Sequence, residues 1–305
     1  MTVGFIGNFE PPFSTENDRK WSLLMLGINV ITFQENKTTK EDLLNFLETK
    51  PDALFYSHTH GWEISGLVKV FETYREHNIP TVSVHLDRWA WLARESDVGN
   101  EATWFTQYQF MADGSPEAED LYKKLNLNWF YLKPGVVARD CYMAAPDPVR
   151  FPHEIIFIGS RGYHPEYPFR ATLVDWLHQK YGERFGHYGN DGIGVVRGHD
   201  LNVLLATAKI VVGDSCFGGR PNYVSDRYYE TRGRGGFLLH PFVDGVDHKG
   251  VRSYEKENLN SLEYAINHFV ARPEVIEFNR REGFNWVKGN ETYTDRMKEV
   301  METIL

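Results

Sequence analysis

Cysteine is nearly missing from this chain: only Cys141 and Cys216 occur in 305 residues, far apart and outside any metal-ligand spacing. That excludes a disulfide framework and a thiolate metal site, and the pair reads as free thiols in a reducing compartment. Long hydrophobic runs are missing too. No apolar stretch approaches the roughly 18 residues of a membrane span. No secretory signal is readable, because Gly7-Asn8 and Glu10-Pro11-Pro12 interrupt the first apolar run. The expectation is a cytoplasmic protein. Excess positive charge is likewise absent: a net charge of −9 argues against a broad non-specific nucleic-acid surface and leaves room only for a local basic groove. There is no internal repeat, no low-complexity segment, no GxGxxG dinucleotide fingerprint and no GxxxxGK[ST] phosphate loop.

What is present is a regular alternation of short apolar runs and amphipathic stretches. A length of 305 residues suits two domains of about 150 residues each. In the first half, strands are expected at 3–6, 29–33, 53–56, 81–86, 107–111 and 129–132, with helices over 63–76 and 115–125. Ser14 or Thr15 caps a first helix closed by Gly27, and Thr38 with Glu41 has capping-box spacing before a helix with buried Leu43, Leu44 and Leu47. Residues 144–152 hold Pro146, Pro148 and Pro152 and no periodic pattern, so they read as a linker. The alternation then restarts, with strands at 155–158, 185–188, 210–212 and 237–240, helices at 169–181 and 201–208, and helices from 258 to the end. Strands alternating with helices imply parallel sheets covered on both faces, an α/β fold of two Rossmann-like domains.

The richest chemistry lies at 225–240, SDRYYETRGRGGFLLH, a polar helix start that runs through glycines into an apolar strand. Arg227 is a fixed cation able to clamp a phosphate, and Glu230, three residues on and on the same helix face, is an acceptor able to hold two sugar hydroxyls. The pair suits a nucleotide sugar, although the same spacing also makes a surface ion pair. The segment resembles the donor-site motif of GT-B glycosyltransferases, and among them the spore-maturation-type, family 1-like group, which has phage members. IIFIGSRGYHPEYPFR at 155–170 resembles that group's first donor-domain strand, glycine loop and following helix. KIVVGDS at 209–215 resembles the strand before the donor motif, and ETYTDRMKEVMETIL at 291–305 resembles the closing helix. The resemblance covers residues 150–305 by sequence and the first half by layout. It implies two Rossmann-like domains facing a central cleft: an acceptor-side domain at 1–145, a nucleotide-sugar donor domain at 153–285, and a C-terminal helix at 286–305 packing on the first domain. It also implies a nucleotide-sugar-dependent glycosyltransferase, with the nucleotide sugar as co-substrate and no other cofactor.

In open α/β sheets ligands gather beyond the carboxyl ends of the strands, so the strand-to-helix turns hold the candidates. Gly159-Ser160-Arg161-Gly162 follows a strand, and its N–H groups and Arg161 could hold phosphate, with Tyr163 in the same loop. A tight turn that merely uses glycine is the other reading. Asp214 and Ser215 end a strand, and Gly235 completes the donor set. The resemblance implies diphosphate contact for Arg227 and ribose contact for Glu230. The group often carries a further acidic residue upstream; here that region is Gly218-Gly219-Arg220-Pro221, which points to an inverting reaction. No DxD triplet occurs, so the expectation is metal-independent transfer with phosphate charge met by arginine.

Deprotonating the acceptor needs a base, and the candidates are Asp87, His58 and His60. A histidine titrates near neutral pH, whereas a carboxylate would need a raised pKa. The HxH of His58 and His60 has no third nearby ligand, so it makes a weak metal site. Glu16, His85 and Arg88 are the candidates for acceptor binding. Each of these residues is also readable as a hydrogen-bonded loop side chain. Two acceptor classes stay open. Arg88, Arg94, Arg220, Arg232 and Arg234, with the many aromatics, would suit a hydroxymethylated pyrimidine in phage DNA. A polysaccharide, a spore component or a small metabolite fits the negative charge as well. A non-catalytic nucleotide-sugar binding module and a nucleotide-sugar isomerase are alternatives that the fold alone does not separate.

Overall fold

Short apolar runs become parallel strands here because helices between most of them carry the chain back to the same end of the sheet. A computed structural model of the chain describes residues 1–58, 64–162 and 164–305. The chain divides into two units, Met1–Lys133 with Tyr293–Leu305, and Pro134–Thr292.

In unit 1 the order is β1 (Thr2–Gly7), α1 (Thr15–Met25), β2 (Asn29–Gln34), α2 (Lys40–Leu47), β3 (Ala53–Tyr56), α3 (Leu67–Glu76), β4 (Thr81–His85), β5 (Tyr108–Met111), α4 (Pro116–Lys124) and β6 (Trp129–Tyr131). The strands form one parallel sheet of order β2-β1-β3-β4-β5-β6. Strand order therefore reverses between β1 and β3, the switch point at which a crevice opens beyond the strand ends. One face buries Val3, Phe5, Phe55 and Val84 against Met297, Val300 and Ile304 of the C-terminal segment. The other buries Ile6, Leu54 and Tyr56 against Leu43, Leu47 and Phe71. Each such side chain contributes about 1.5–3 kcal/mol relative to exposure. Ser14 caps α1 by accepting from Asn17 N–H, and Gly27, with φ 78°, closes it. The capping box sits one residue later than its expected place: Thr39 and Asp42 form it, while Thr38 Oγ1 donates to Gln34 O.

Unit 2 contains β7 (Ile155–Ile158), α5 (Phe169–Tyr181), β8 (Phe185–Tyr188), α6 (Gly198–Thr207), β9 (Ile210–Val212), α7 (Arg227–Gly233), β10 (Leu238–Pro241), β11 (Val251–Tyr254), α8 (Leu259–Val270) and α9 (Pro273–Asn290). Its sheet is also parallel, of order β11-β10-β9-β7-β8. Here the order reverses between β7 and β9. The last helix, α10 (Tyr293–Ile304), belongs to unit 1.

Boundaries fall elsewhere than the prolines suggest. The chain passes from unit 1 to unit 2 at Lys133–Pro134, and segment 144–152 lies inside unit 2. That segment is anchored there, since Phe151 is buried beside Tyr188 and Asp147 N–H donates to Thr207 Oγ1 at 2.8 Å. The return falls at Thr292–Tyr293, after α9 rather than at 286. Among the described residues no helix is long and apolar enough to cross a membrane.

Candidate functional site

At the switch point of unit 2, Gly159 ends β7 and Asp214 follows β9. Gly159 adopts φ 128°, a left-handed conformation that side chains rarely tolerate, and the Arg227 guanidinium lies directly over it: a Cβ at Gly159 would stand 2.9 Å from Arg227 Nη1. Gly159 N–H donates to Tyr188 O at 2.8 Å, and its carbonyl accepts from His187 Nε2 at 2.7 Å, so the turn is fixed from both sides. The side chain of Arg227 makes no hydrogen bond and no ion pair of 4 Å or less that is recorded among the described residues. Burial, and then the positive charge of Arg170, lower its proton affinity from the usual guanidinium value. A partly buried cation held over a glycine turn at a strand end is ready for an anion.

Asp214 does not face outward. It is buried, accepts from Tyr167 Oη at 3.1 Å and from Arg170 Nε at 3.3 Å, and takes a further bond to its carbonyl from Arg170 Nη2. Burial raises its carboxyl to about 6, with Arg170 pulling the other way. Asp214 thus fixes Arg170 and the turn after β9. Ser215, fully buried, accepts from Ser225 N–H at 3.2 Å and pairs with His240 Nε2 at 3.0 Å. His240 Nδ1 lies 2.8 Å from Pro241 O, so Nδ1 carries the proton and Nε2 accepts from the Ser215 hydroxyl. The chain Ser225–Ser215–His240 ties the entry of α7 to β9 and β10, and so sets where Arg227 starts. Ile158, Gly213, Asp214, Ser225, Arg227 and His240 line one small hollow together.

Glu230 is half-buried on α7, and Arg234 Nε donates to its Oε2 at 2.5 Å. Arg234 also bonds Asn202 Oδ1 at 2.6 Å and Asp140 Oδ2 at 2.7 Å. Burial raises the Glu230 carboxyl, Arg234 opposing. Its second oxygen accepts no recorded hydrogen bond among the described residues. Gly235, at φ 82°, ends α7: its N–H donates to Arg232 O, and Gly236 N–H donates to Thr231 O, the two bonds of a Schellman cap. Met143 covers its open side, so Gly235 is occupied with stopping the helix. Arg161 points along the surface to Asp175, with Nε donating at 2.7 Å, and Ser160 sits half-buried in the turn between Gly159 and Arg161. Tyr163 lies outside the described residues. Arg232, expected as free positive charge, is wholly buried and paired with Asp247 at 2.5 Å.

In unit 1, Glu16 stands in the first turn of α1 and packs over Gly7, where a Cβ would come within 2.7 Å of its Cγ. Ser57 Oγ donates to Glu16 Oε1 at 3.0 Å, and Arg19 Nη1 donates to Ser57 Oγ and to Val84 O at 2.9 Å. His58 follows directly. Its Nδ1 contacts Glu35 Oε1 at 2.6 Å and Tyr56 Oη at 2.7 Å, and its Nε2 stands 3.4 Å from Glu101 Oε2. The buried Glu35 carboxylate on Nδ1 fixes the orientation of the ring, and Nε2 faces the Glu101 carboxylate. Asp87 is partly exposed and pairs with Arg94 at 3.3 Å. His60 lies outside the described residues, as do Thr59, Gly61, Trp62 and Glu63.

Two expected acceptor residues turn inward. His85 is buried between the rings of Trp89 and Trp104, and its Nε2 accepts from Trp89 Nε1. Arg88 is fully buried against Asp113, at 3.2 Å, and Ser115. Residues without a sequence signal are, in unit 1, Glu35, Glu101 and Arg19 beside His58 and Ser57, while in unit 2 Tyr167 and Arg170, within the 155–170 segment, hold Asp214. Among the described residues no group of three His, Cys, Asp or Glu side chains could hold a metal ion.

Gly159 is open to direct test. Alanine there takes on a conformation costing about 1–3 kcal/mol and pushes into the Arg227 guanidinium. Gly159→Ala is expected to lower the melting temperature and weaken nucleotide binding together. An unchanged Kd for nucleotide diphosphate would remove the glycine turn from the site.

No protein-family model matches the sequence, and no curated protein matches it either. Solved structures do match. Alr3699/HepE of Anabaena, solved with UDP and glucose, superposes with a TM-score of 0.67 at 13% identity over 100% of this chain and 99% of its own. Sucrose-phosphate synthase of Thermosynechococcus elongatus gives 0.63 at 12% identity over 99% and 98%. An α,α-trehalose-phosphate synthase (UDP-forming) of Burkholderia vietnamiensis gives 0.61 at 9% identity over 99% and 96%. With two parallel sheets, each reversing strand order once, and full-length likeness to these structures, the chain has the two-Rossmann-domain GT-B fold.

Proposed function

We propose that the chain is a glycosyltransferase that moves a sugar from a nucleotide-sugar donor to an acceptor hydroxyl, by inversion and without a metal. The observation that carries this reading is Arg227, a partly buried guanidinium over the Gly159 turn with no recorded hydrogen-bond partner among the described residues. Its supports are the sequence likeness to the donor motif of the spore-maturation-type group and the fold shared with HepE, a protein solved with UDP-glucose. In this reading unit 2 holds the donor: Arg227 meets the diphosphate, and the free oxygen of Glu230 meets the ribose. A base of the acceptor side, with His58 and Asp87 the candidates among the described residues, takes the acceptor proton. The acceptor oxygen forms its bond to the anomeric carbon as the bond from that carbon to the diphosphate oxygen breaks, and Arg227 balances the charge left on the leaving group.

The test has two parts. Nucleotide diphosphates and their sugar conjugates are screened by thermal shift, and those that bind are assayed for slow release of nucleotide without acceptor. A shift for one nucleotide family with slow hydrolysis supports transfer. A shift with no turnover supports the second reading, a binding module, which the hold of Arg234 on Glu230 Oε2 favours. No shift for any nucleotide defeats both. With an acceptor in hand, His58→Ala is expected to lower turnover by about 10²–10⁴-fold while leaving the donor shift intact. The same loss in Asp87→Asn, with His58→Ala active, would move the base to Asp87.

A hydroxymethylated pyrimidine in DNA fits poorly with the arginines once placed. Arg88, Arg94, Arg232 and Arg234 are each paired with a carboxylate, so little of that charge is left for a phosphate backbone. A polyhydroxylated acceptor is the better match.

A further inference from the structure

A groove of about 580 Å³ opens in unit 1 at the amino ends of β5 and β6, between α3, the turn before β5 and the α4–β6 loop. Small-molecule sites span about 300–1,000 Å³, so the groove is large enough to be one. It stands apart from His58 and Asp87, which follow the carboxyl ends of β3 and β4. Three side-chain amides line it. Asn126 holds the left-handed backbone, at φ 53°, and its amide makes no recorded hydrogen bond among the described residues. Asn128 Nδ2 donates to Gln107 O at 3.0 Å, and Gln107 Oε1 accepts from Thr81 N–H at 3.0 Å. These bonds steady both amides and leave Asn128 Oδ1 as an acceptor and Gln107 Nε2 as a donor. The wall is underpaired beneath its surface as well. Trp104 Nε1, a donor, and Gln109 Oε1, an acceptor, are buried without a hydrogen-bond partner among the described residues. Such groups are few in folded proteins, and here two of them belong to residues lining one groove.

We propose that this groove is a second carbohydrate site, which holds a neutral sugar chain away from the reacting centre. A hydroxyl both donates and accepts, so a row of hydroxyls complements amide donors and acceptors set side by side. Charge gives the lining no preference for an ion. Its one carboxylate, Glu72, pairs with Lys69 at 3.0 Å, and its one guanidinium, Arg75, donates from Nη2 to Phe105 O at 3.3 Å. A phosphorylated ligand would therefore find a single cation, already engaged. Phe105 is 41% exposed and offers an aromatic surface to the apolar C–H face of a sugar ring. None of these residues belongs to the donor site of unit 2, so the groove stands or falls separately from the transfer reading.

The probes are neutral trisaccharides and hexasaccharides of glucose, galactose and mannose in several linkages, and an uncharged hexapeptide, titrated calorimetrically into the full chain. Wild type should bind at least one saccharide. Asn126→Gly removes an amide while glycine takes the left-handed backbone without strain, and should weaken that binding about tenfold. Glu72→Trp, at an exposed position of α3, places an indole in the groove and should abolish binding. Both variants should melt close to wild type and bind nucleotide diphosphates as wild type does. Failure of every saccharide to bind wild type overturns the proposal. So does saccharide binding that both variants keep, which would place the sugar elsewhere. Peptide binding that Glu72→Trp abolishes, with no saccharide bound, overturns it in favour of a protein segment. Should Glu72→Trp melt far lower, Asn126→Gly decides alone, and unweakened binding by it overturns the proposal. Saccharide binding lost in Glu72→Trp, with no nucleotide bound by wild type, would leave the groove standing and remove the donor reading instead.

Discussion

Arg227→Ala should lose nearly all of the thermal stabilisation that a nucleotide diphosphate gives the wild-type protein, while its melting temperature without ligand stays the same or rises. A charge-assisted hydrogen bond contributes about 1.5–3 kcal/mol. Two from one guanidinium to a diphosphate put the loss on the order of 3 kcal/mol, about a hundredfold in Kd. At a concentration a hundred times the wild-type Kd, ligand stabilisation is about 2.7 kcal/mol, and the variant would keep only about 0.4 kcal/mol of it. The unliganded protein should not suffer, because the guanidinium makes no recorded hydrogen bond among the described residues and feels Arg170 as a like charge. Arg232→Ala is the contrast. Arg232 is fully buried, its Nη1 is 2.5 Å from Asp247, and it lies over the rings of Tyr228 and Tyr229. Leaving Asp247 without its partner should cost about 3–5 kcal/mol with or without nucleotide. The two arginines stand five positions apart in one short helix, yet one is expected to act on binding and the other on folding. Thermal melts of both variants, with and without UDP, GDP, CDP and TDP, read the difference. If Arg227→Ala behaves as Arg232→Ala does, Arg227 is a structural cation and the donor reading fails.

That contrast also marks where the sequence stops being informative. Buried strands such as IIFI at Ile155–Ile158 and ALFY at Ala53–Tyr56 are legible because a parallel strand covered on both faces must be apolar at every position. The edge strand Val251–Tyr254 escapes notice, because its sequence VRSY includes an arginine and an exposed serine that only an edge tolerates. Residues 144–152 read as a linker because proline breaks periodicity, but Phe151 inserts into the core of unit 2, and no local pattern encodes that. At the site, Arg227 is legible from its motif, but the state of Glu230 depends on Arg234 being steadied by Asp140, 94 residues earlier. Likewise His58 is readable as a strand-end histidine, whereas Glu35, 23 residues before it, becomes its partner only when β2 and β3 flank β1. Arg88 and His85 mislead for the opposite reason. Their chemistry suits a site, but Trp89 and Asp113 draw them inward, and composition cannot tell a buried arginine from an open one.

Two buried groups of unit 2 should pull stability in opposite directions between about pH 4 and 6.5, and single substitutions can separate them. Burial raises the Asp214 carboxyl from 3.8 to about 6, so the folded protein keeps a proton there that the unfolded chain releases. The stabilisation from Asp214 is present below pH 4 and is lost as pH rises through 6. A gap of two units is worth about 3 kcal/mol. Burial lowers His240 from 6.5 to about 4, so the unfolded chain takes up a proton that the folded protein refuses. This contribution is present above pH 6.5 and is lost as pH falls through 4, again by about 3 kcal/mol. Other groups add to both sides, among them Asp113 and Glu230 with the sign of Asp214, and His153 and His248 with the sign of His240. The informative quantity is therefore the stability of each variant minus that of wild type, in which shared contributions cancel. For Asp214→Asn this difference should rise by about 2 kcal/mol from pH 4 to 6.5, and for His240→Gln it should fall by a similar amount. Each variant carries a constant offset as well, since the Tyr167 and Arg170 donors lose a carboxyl oxygen in one and Ser215 loses its acceptor in the other. The offset moves the line and leaves its slope. Urea unfolding at several pH values supplies the slopes. Opposite signs would establish both groups as buried in the protonation states described, Asp214 protonated and His240 neutral near pH 5. Flat difference profiles would mean that water reaches them, and that the floor beneath Arg227 is not the dry, fixed support on which its readiness for a diphosphate depends.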